Sequence, residues 1–182
     1  MTSVRIKVAL GTMAVLFLGA LPAAAAFRTT VTKSDDFKQV ELSRVAVVTA
    51  ECYKTVDCSA IERKVYAEAL KMKVRFKVVP ESRVRDSLFS QGHTKYNIDL
   101  RQALADSLDL DGLIELRIPF AEKGDGYGGR KGSEVKVELL LIRPDGGILI
   151  HGVGTGRPAN VVTSPERVAG NLVEKILKKA FE

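Results

Sequence analysis

The stretch that most constrains this chain runs from Arg44 to Pro80, where two extended segments flank a helical one. Val45 to Ala50 form an almost unbroken apolar run, short, rich in valine and bounded by polar residues. That pattern predicts a strand buried on both faces rather than a helix. Ser59 and Glu62 then stand at the spacing of a capping box. Ile61, Val65, Ala69 and Met72, with Tyr66 and Leu70 beside them, recur at helical spacing, so a helix is expected at roughly 60 to 72. In "KVRFKVV", Val74, Phe76 and Val78 alternate with Arg75 and Lys77, a half-exposed strand that Pro80 stops. Strand, helix and strand in so short a span make a βαβ unit, with parallel strands and a right-handed crossover.

The rest of the chain extends that start. "ESRVRDSLFSQG" reads as a second helix with Val84, Leu88 and Phe89 inward and Gly92 as its stop. "NIDLRQALADSLDLDG" reads as a third, started near Asn97 or Asp99, with Leu100, Ala103, Leu104 and Leu108 inward. In "LIELRIPF", Ile114, Leu116, Ile118 and Phe120 face one way, Glu115 and Arg117 the other. "EVKVELLLIR" and "ILIHGVG" are two strands joined at Asp145-Gly146, a hairpin signal. A long terminal helix follows, its start set by Ser164 and Pro165 or by a capping box of Thr163 and Glu166. Val168, Leu172, Val173, Ile176, Leu177 and Phe181 form its apolar stripe. The expected fold class is α/β, in the mixed α+β sense: a single mixed sheet in the order β-α-β-α-α-β-β-β-α, with helices packed on it.

The first 26 residues have the three parts of a secretory signal peptide: Arg5 and Lys7, an uncharged run from Val8, and small residues ending in Ala24 and Ala26. The competing reading is a retained anchor, but Gly11, Gly19, Pro22 and the alanines dilute a run near the roughly 20 residues a span requires. Phe27 rather than a cysteine follows, which argues against a lipid anchor. Cleavage near Ala26 leaves a polar lead-in at 27–43 and one domain at 44–182, expected in the periplasm or secreted, with no stable membrane span. The leader holds two of the 28 basic residues and none of the 22 acidic ones, so the remainder carries +4. Its charges are interspersed and tryptophan is absent, against nucleic-acid binding. Export also decides the reading of Cys52 and Cys58: five residues apart, they lack the spacing of a redox pair or zinc knuckle, and a disulfide is expected.

With these elements in place, "RFKVVPESRV", "DLDGLIEL" and the hairpin at "RPDGGIL" resemble the periplasmic α/β domain of the curli secretion-channel (CsgG-like) family. The penicillin-binding-protein activator lipoproteins and the TolB amino-terminal domain share that arrangement. The likeness covers roughly 44 to 181 and implies a non-enzymatic binding or assembly module of cell-envelope machinery, with another envelope protein as partner. Two departures are the missing lipid-anchor cysteine and the lack of length for the two long hairpins of a barrel. A single hairpin from 113 to 143 reaches membrane-strand length of about 9 to 11 residues, with Glu115, Arg117, Lys136 and Glu138 toward a lumen. That alternative makes the chain an oligomeric outer-membrane pore component.

No motif compels catalysis. Gly124, Gly126 and Gly129 spell G-x-G-x-x-G between two strands, where no helix N-terminus holds a phosphate, so no cofactor is expected. The same loop carries Tyr127, Arg130 and Lys131, an aromatic and two cations suited to a partner-binding loop. The rival class is a periplasmic hydrolase with a dispersed site around His151. His93 and His151 lie in no nucleophile motif, and no metal site is expected. Asp35, Asp36, Asp109 and Asp111 suit turns and caps better than acid–base pairs.

Overall fold

The computed structural model describes residues 26–71, 76–122, 134–157 and 163–181. A six-stranded mixed sheet runs through it in the spatial order β1-β6-β5-β4-β2-β3. The strands are β1 (Ala26–Lys33), β2 (Arg44–Cys52), β3 (Lys77–Val78), β4 (Gly112–Glu122), β5 (Glu134–Ile142) and β6 (Ile148–Arg157). The helices are α1 (Cys58–Lys71), α2 (Glu81–Ser90), α3 (Arg101–Leu108) and α4 (Pro165–Phe181). β2 runs parallel to both β3 and β4, as the βαβ pattern requires, and the remaining pairs are antiparallel. The lead-in supplies one strand beyond the expected order: β1 pairs along its whole length with β6 as a sheet edge.

The unbroken apolar run of β2 has a direct cause. Val45 and Val47 enter the core beneath α1 and α4, with Ile61, Val65, Leu172 and Ile176. Ala46 and Val48 enter a second core with Val84 and Leu88 of α2 and Leu104 of α3. Each face of the strand is covered by helices, so neither carries polar residues. α4 lies close on β6, over Gly152 and Gly154; a Cβ at Gly152 would stand 2.1 Å from Ile176 Cγ2.

Several local expectations shift. α1 starts at Cys58 and its cap is Asp57, whose Oδ1 accepts the Ala60 N–H at 3.2 Å. Cys58 is buried and bonded to Cys52, so it becomes the first helical residue and Ser59 falls inside the helix. Phe89, expected inward, is 75% exposed, because one residue past Leu88 on a helix turns about 100° away from the core. On α3 the inward pair is Leu104 and Ala105, with Ala103 outside. The end of α2 is as read: Gly92, at φ +82°, donates to Phe89 O while the His93 N–H reaches Leu88 O, a Schellman closure. Asn97 Oδ1 accepts the Leu100 N–H at 3.2 Å, and Ser164 Oγ accepts the Arg167 N–H at 3.4 Å. Of the β3 pattern, Val74 lies outside the described residues.

Candidate binding crevice

β2 leads into α1 on one face of the sheet, while β3 leads into α2 on the other. The two helix starts part at the carboxyl ends of these strands and leave a crevice of about 530 Å³. That is where open α/β sheets hold ligands, and the volume is in the range of small-molecule sites, about 300 to 1,000 Å³. Its apolar lining comes from Val48, Val84 and Leu88 of the second core. Cys52 and Cys58 line it too, joined as a disulfide with Cα atoms 5.9 Å apart. The bond fastens the end of β2 to the first turn of α1, so the expected staple is a wall of the crevice. Closing this short loop is worth about 2 to 2.5 kcal/mol on the chain-entropy relation. Reduction, or Cys52→Ser with Cys58→Ser, is expected to lower the thermal midpoint accordingly in calorimetry.

Glu62 also lines the crevice, and Thr49 Oγ1 of β2 donates to its Oε2. Burial pushes its carboxyl above the ordinary glutamate range; the Thr49 hydrogen bond opposes that, and repulsion from Glu81 adds to it. A carboxyl raised on folding costs stability as pH rises from its ordinary value through its raised one. Glu62→Gln keeps an acceptor for Thr49 and removes the charge. Its denaturation midpoint is expected to exceed that of the parent at neutral pH, with the two converging toward pH 4; equal midpoints at both pH values would remove the assignment.

The inner wall is Tyr96, and it leads to a buried ionic group. Glu115 on β4 is 0% exposed. Its Oε1 accepts the Tyr96 hydroxyl at 2.5 Å and Arg101 Nε at 2.8 Å, and its Oε2 accepts Arg117 Nη2 at 2.9 Å. Burial alone pushes this carboxyl up, but the hydrogen bonds from Arg101, Tyr96 and Arg117 outweigh it and hold Glu115 below the usual range. Burial and the same carboxylate push the Tyr96 phenol well up. The group holds its protons fixed near neutral pH, as a positioning element rather than a proton donor.

Glu115 is therefore not on an open face opposite Ile114 and Leu116, as alternation implies. A central strand covered on both sides has no solvent face over that span, and the polar member survives only because three donors converge on it. β4 and β5 sit mid-sheet with Ile114, Leu116, Val137 and Leu139 packed under the helices, while Glu115, Arg117, Lys136 and Glu138, the residues expected toward a lumen, lie on the opposite parity. The signal available in the sequence is the company Glu115 keeps: "GLIELRI" is apolar on both parities except at 115 and 117.

The other candidates are dispersed. Tyr127, Arg130 and Lys131, with the G-x-G-x-x-G glycines, lie outside the described residues. His93 closes α2 through its backbone, whereas His151 lies on β6 with Nε2 4.0 Å from Glu138 Oε2. Asp111 Oδ2 accepts the Ser43 and Arg44 N–H groups at 2.7 and 2.9 Å, and Asp109 ends α3 at φ 53°. Asp36 O accepts from Gln39 and Val40. Among the described residues, no three His, Cys, Asp or Glu side chains are gathered to hold a metal ion, and no helix is long and apolar enough to cross a membrane.

By sequence, no protein-family model and no curated protein matches the chain. By structure, it is similar to the PelC dodecamer from Paraburkholderia phytofirmans, at TM-score 0.51 and 15% identity, over 84% of this chain and 95% of that one. It is similar to lipoprotein GNA1162 from Neisseria meningitidis, at TM-score 0.51 and 17% identity, over 75% of this chain and 96% of that one. The LpoB C-terminal domain from Escherichia coli aligns at TM-score 0.46 and 13% identity, over 64% of this chain and 84% of that one. None of the three is a curli channel or a TolB domain, so those kinds remain expectations from the sequence. The architecture itself, a mixed sheet with helices on both faces, is one the chain has in common with PelC and GNA1162.

Proposed function

We propose that this chain is an exported binding or assembly module of bacterial cell-envelope machinery, acting through protein contacts rather than catalysis. The observation that carries the reading is the extent of the structural likeness. Two chains, one named as a dodecamer and one as a lipoprotein, are covered over 95% and 96% of their length. A secretory leader and a disulfide in the oxidising compartment it implies support the same reading. The crevice suits recognition: an apolar floor, Tyr96 held by the Glu115 group, and carboxylates of Glu51 and Glu81 at its edge.

Mild cross-linking in the native periplasm, followed by purification of this chain and mass analysis, tests the proposal. A discrete adduct with another protein, or with further copies of the chain, is the expected result. A lone monomer that turns over a hydrolysable substrate, with activity lost in His151→Gln, would replace it with the hydrolase reading.

A further inference from the structure

The crevice opens on a gap at the edge of the sheet. β3 is the outermost strand on that side, yet it pairs with β2 only at Arg44 and Val45 before Pro80 leads the chain into α2. Past Val45, β2 is itself the sheet edge, and its residues Val48 to Cys52 line the crevice. On its inner side β2 pairs with β4 as far as Cys52, but a bulge between Thr49 and Glu51 leaves Ala50 outside that ladder. Among the described residues, no main-chain bond from a turn or loop reaches Val48 to Cys52 from the open side. What meets the edge there is the Glu62 carboxyl, bonded to the hydroxyl and the main chain of Thr49. An open strand edge recognises another polypeptide through main-chain bonds, whereas alternate side-chain pockets select its sequence.

The charges of the crevice are sorted by depth. At the rim, exposed Glu51 and Asp57 are matched in number by exposed Arg85 and Lys95. Deeper in, Glu62 of α1 and Glu81 of α2 are half-buried and repel each other. Neither has an ion-pair partner among the described residues. The neighbouring cations do not change that balance. Arg117, beside Glu51 in the β2–β4 register, is held by Glu115, and Arg63, exposed on α1, acts on Glu62 less than Glu81 does. A half-buried carboxylate pair without a counter-charge is costly, and a cation arriving from outside offsets that cost.

We infer that the crevice takes an extended segment of a partner protein as a strand added to β2, with a lysine or arginine side chain reaching Glu62 and Glu81. Side chains of an added strand alternate between the two faces of the sheet. On the α1 side, toward which Thr49 points, they meet Glu62 and the disulfide; on the other side they meet Val48, Val84 and Leu88. The segment that fits therefore alternates basic and apolar residues. A small free amine answers the carboxylates but leaves the strand edge and the apolar wall unused. The inference rests on the binding-module reading but fails separately from it: a cross-linked partner seated on another surface leaves the module standing and removes this strand site.

The test is titration of the purified protein with an acetylated, amidated peptide in which lysine alternates with valine, followed by backbone amide NMR. The other arms are the same peptide N-methylated throughout its main chain, a glutamate-for-lysine peptide, and a simple aliphatic diamine. With the lysine peptide, shifts and slowed amide exchange are expected at Val48 to Cys52. The N-methylated peptide, which cannot pair with a strand, and the glutamate peptide are expected not to bind. Glu62→Gln combined with Glu81→Gln is expected to weaken binding of the lysine peptide by about tenfold, as the loss of charge-assisted contacts implies. No binding of the lysine peptide, shifts confined to other surfaces, or affinity unchanged in the double variant would overturn the proposal. So would equal binding of the N-methylated or glutamate peptide, or a diamine that binds as tightly as the lysine peptide.

Discussion

Glu115→Ala is expected to lower the unfolding free energy by about 3 to 5 kcal/mol, the range for removing one partner of a buried ion pair. The loss comes less from the missing attraction than from what stays behind. Arg101 and Arg117 would hold uncompensated charges against a core side, and the Tyr96 hydroxyl would lose its acceptor. With native stabilities of about 5 to 15 kcal/mol for a domain, a large share of the variant is expected to be unfolded in mild denaturant. The same residue fixes an acid dependence. Its folded carboxyl titrates below the ordinary 4.5, so the stability it contributes is complete above that pH and is lost as pH falls through the folded value. Urea midpoints of parent and Glu115→Gln, measured from pH 7 down to 3, should converge on the acid side. A constant difference across that range would show that the charge of Glu115 contributes nothing.

The second large effect is expected at Gly152. A Cβ there meets Ile176 Cγ2 at 2.1 Å, and Ile176, on α4, is 1% exposed. Gly152→Val must therefore lift α4 off β6, at a cost of about 3 kcal/mol, the upper part of the overpacking range. Ile176→Ala alone leaves a cavity and costs about 2 to 5 kcal/mol. Combined, each change relieves the other, so the double variant is expected to be more stable than the sum of the singles implies, by 1 kcal/mol or so. Strict additivity in chemical denaturation would mean that α4 is not seated on this glycine.

These two residues also mark where the sequence stops being readable. The βαβ start, the hairpin and α4 are legible because each rests on local periodicity and turn chemistry: Val45 to Ala50 for the strand, Asp145-Gly146 for the turn, Ser164-Pro165 for the cap. The turn closes as read, with Gly146 at φ +95° donating to Arg143 O. The cap of α1 was displaced by one feature that local pattern does not weigh, the pull of the Cys52–Cys58 bond on the first turn. Glu115 was not legible as a buried residue. Two of its three partners come from 14 and 19 positions away on the chain and meet it only once α3 and the preceding loop fold over β4. Cross-strand neighbours are similarly a product of register: Arg28 and Lys136 are more than a hundred residues apart and share a row only through β6. The crevice lies at the carboxyl end of the first buried strand, where α/β sheets hold ligands, but its lining from α2 and Tyr96 is set by long-range packing that local pattern does not show.

A photo-reactive residue placed at Arg85 on the rim of the crevice, with a second at Arg63 on the exposed side of α1 as control, tests in cells that export the protein whether the chain binds another protein. A discrete protein adduct is expected from position 85 at native expression, and little from position 63. Absence of any protein adduct from either position, with the chain recovered as a free monomer, would contradict the claim that it acts by binding another protein.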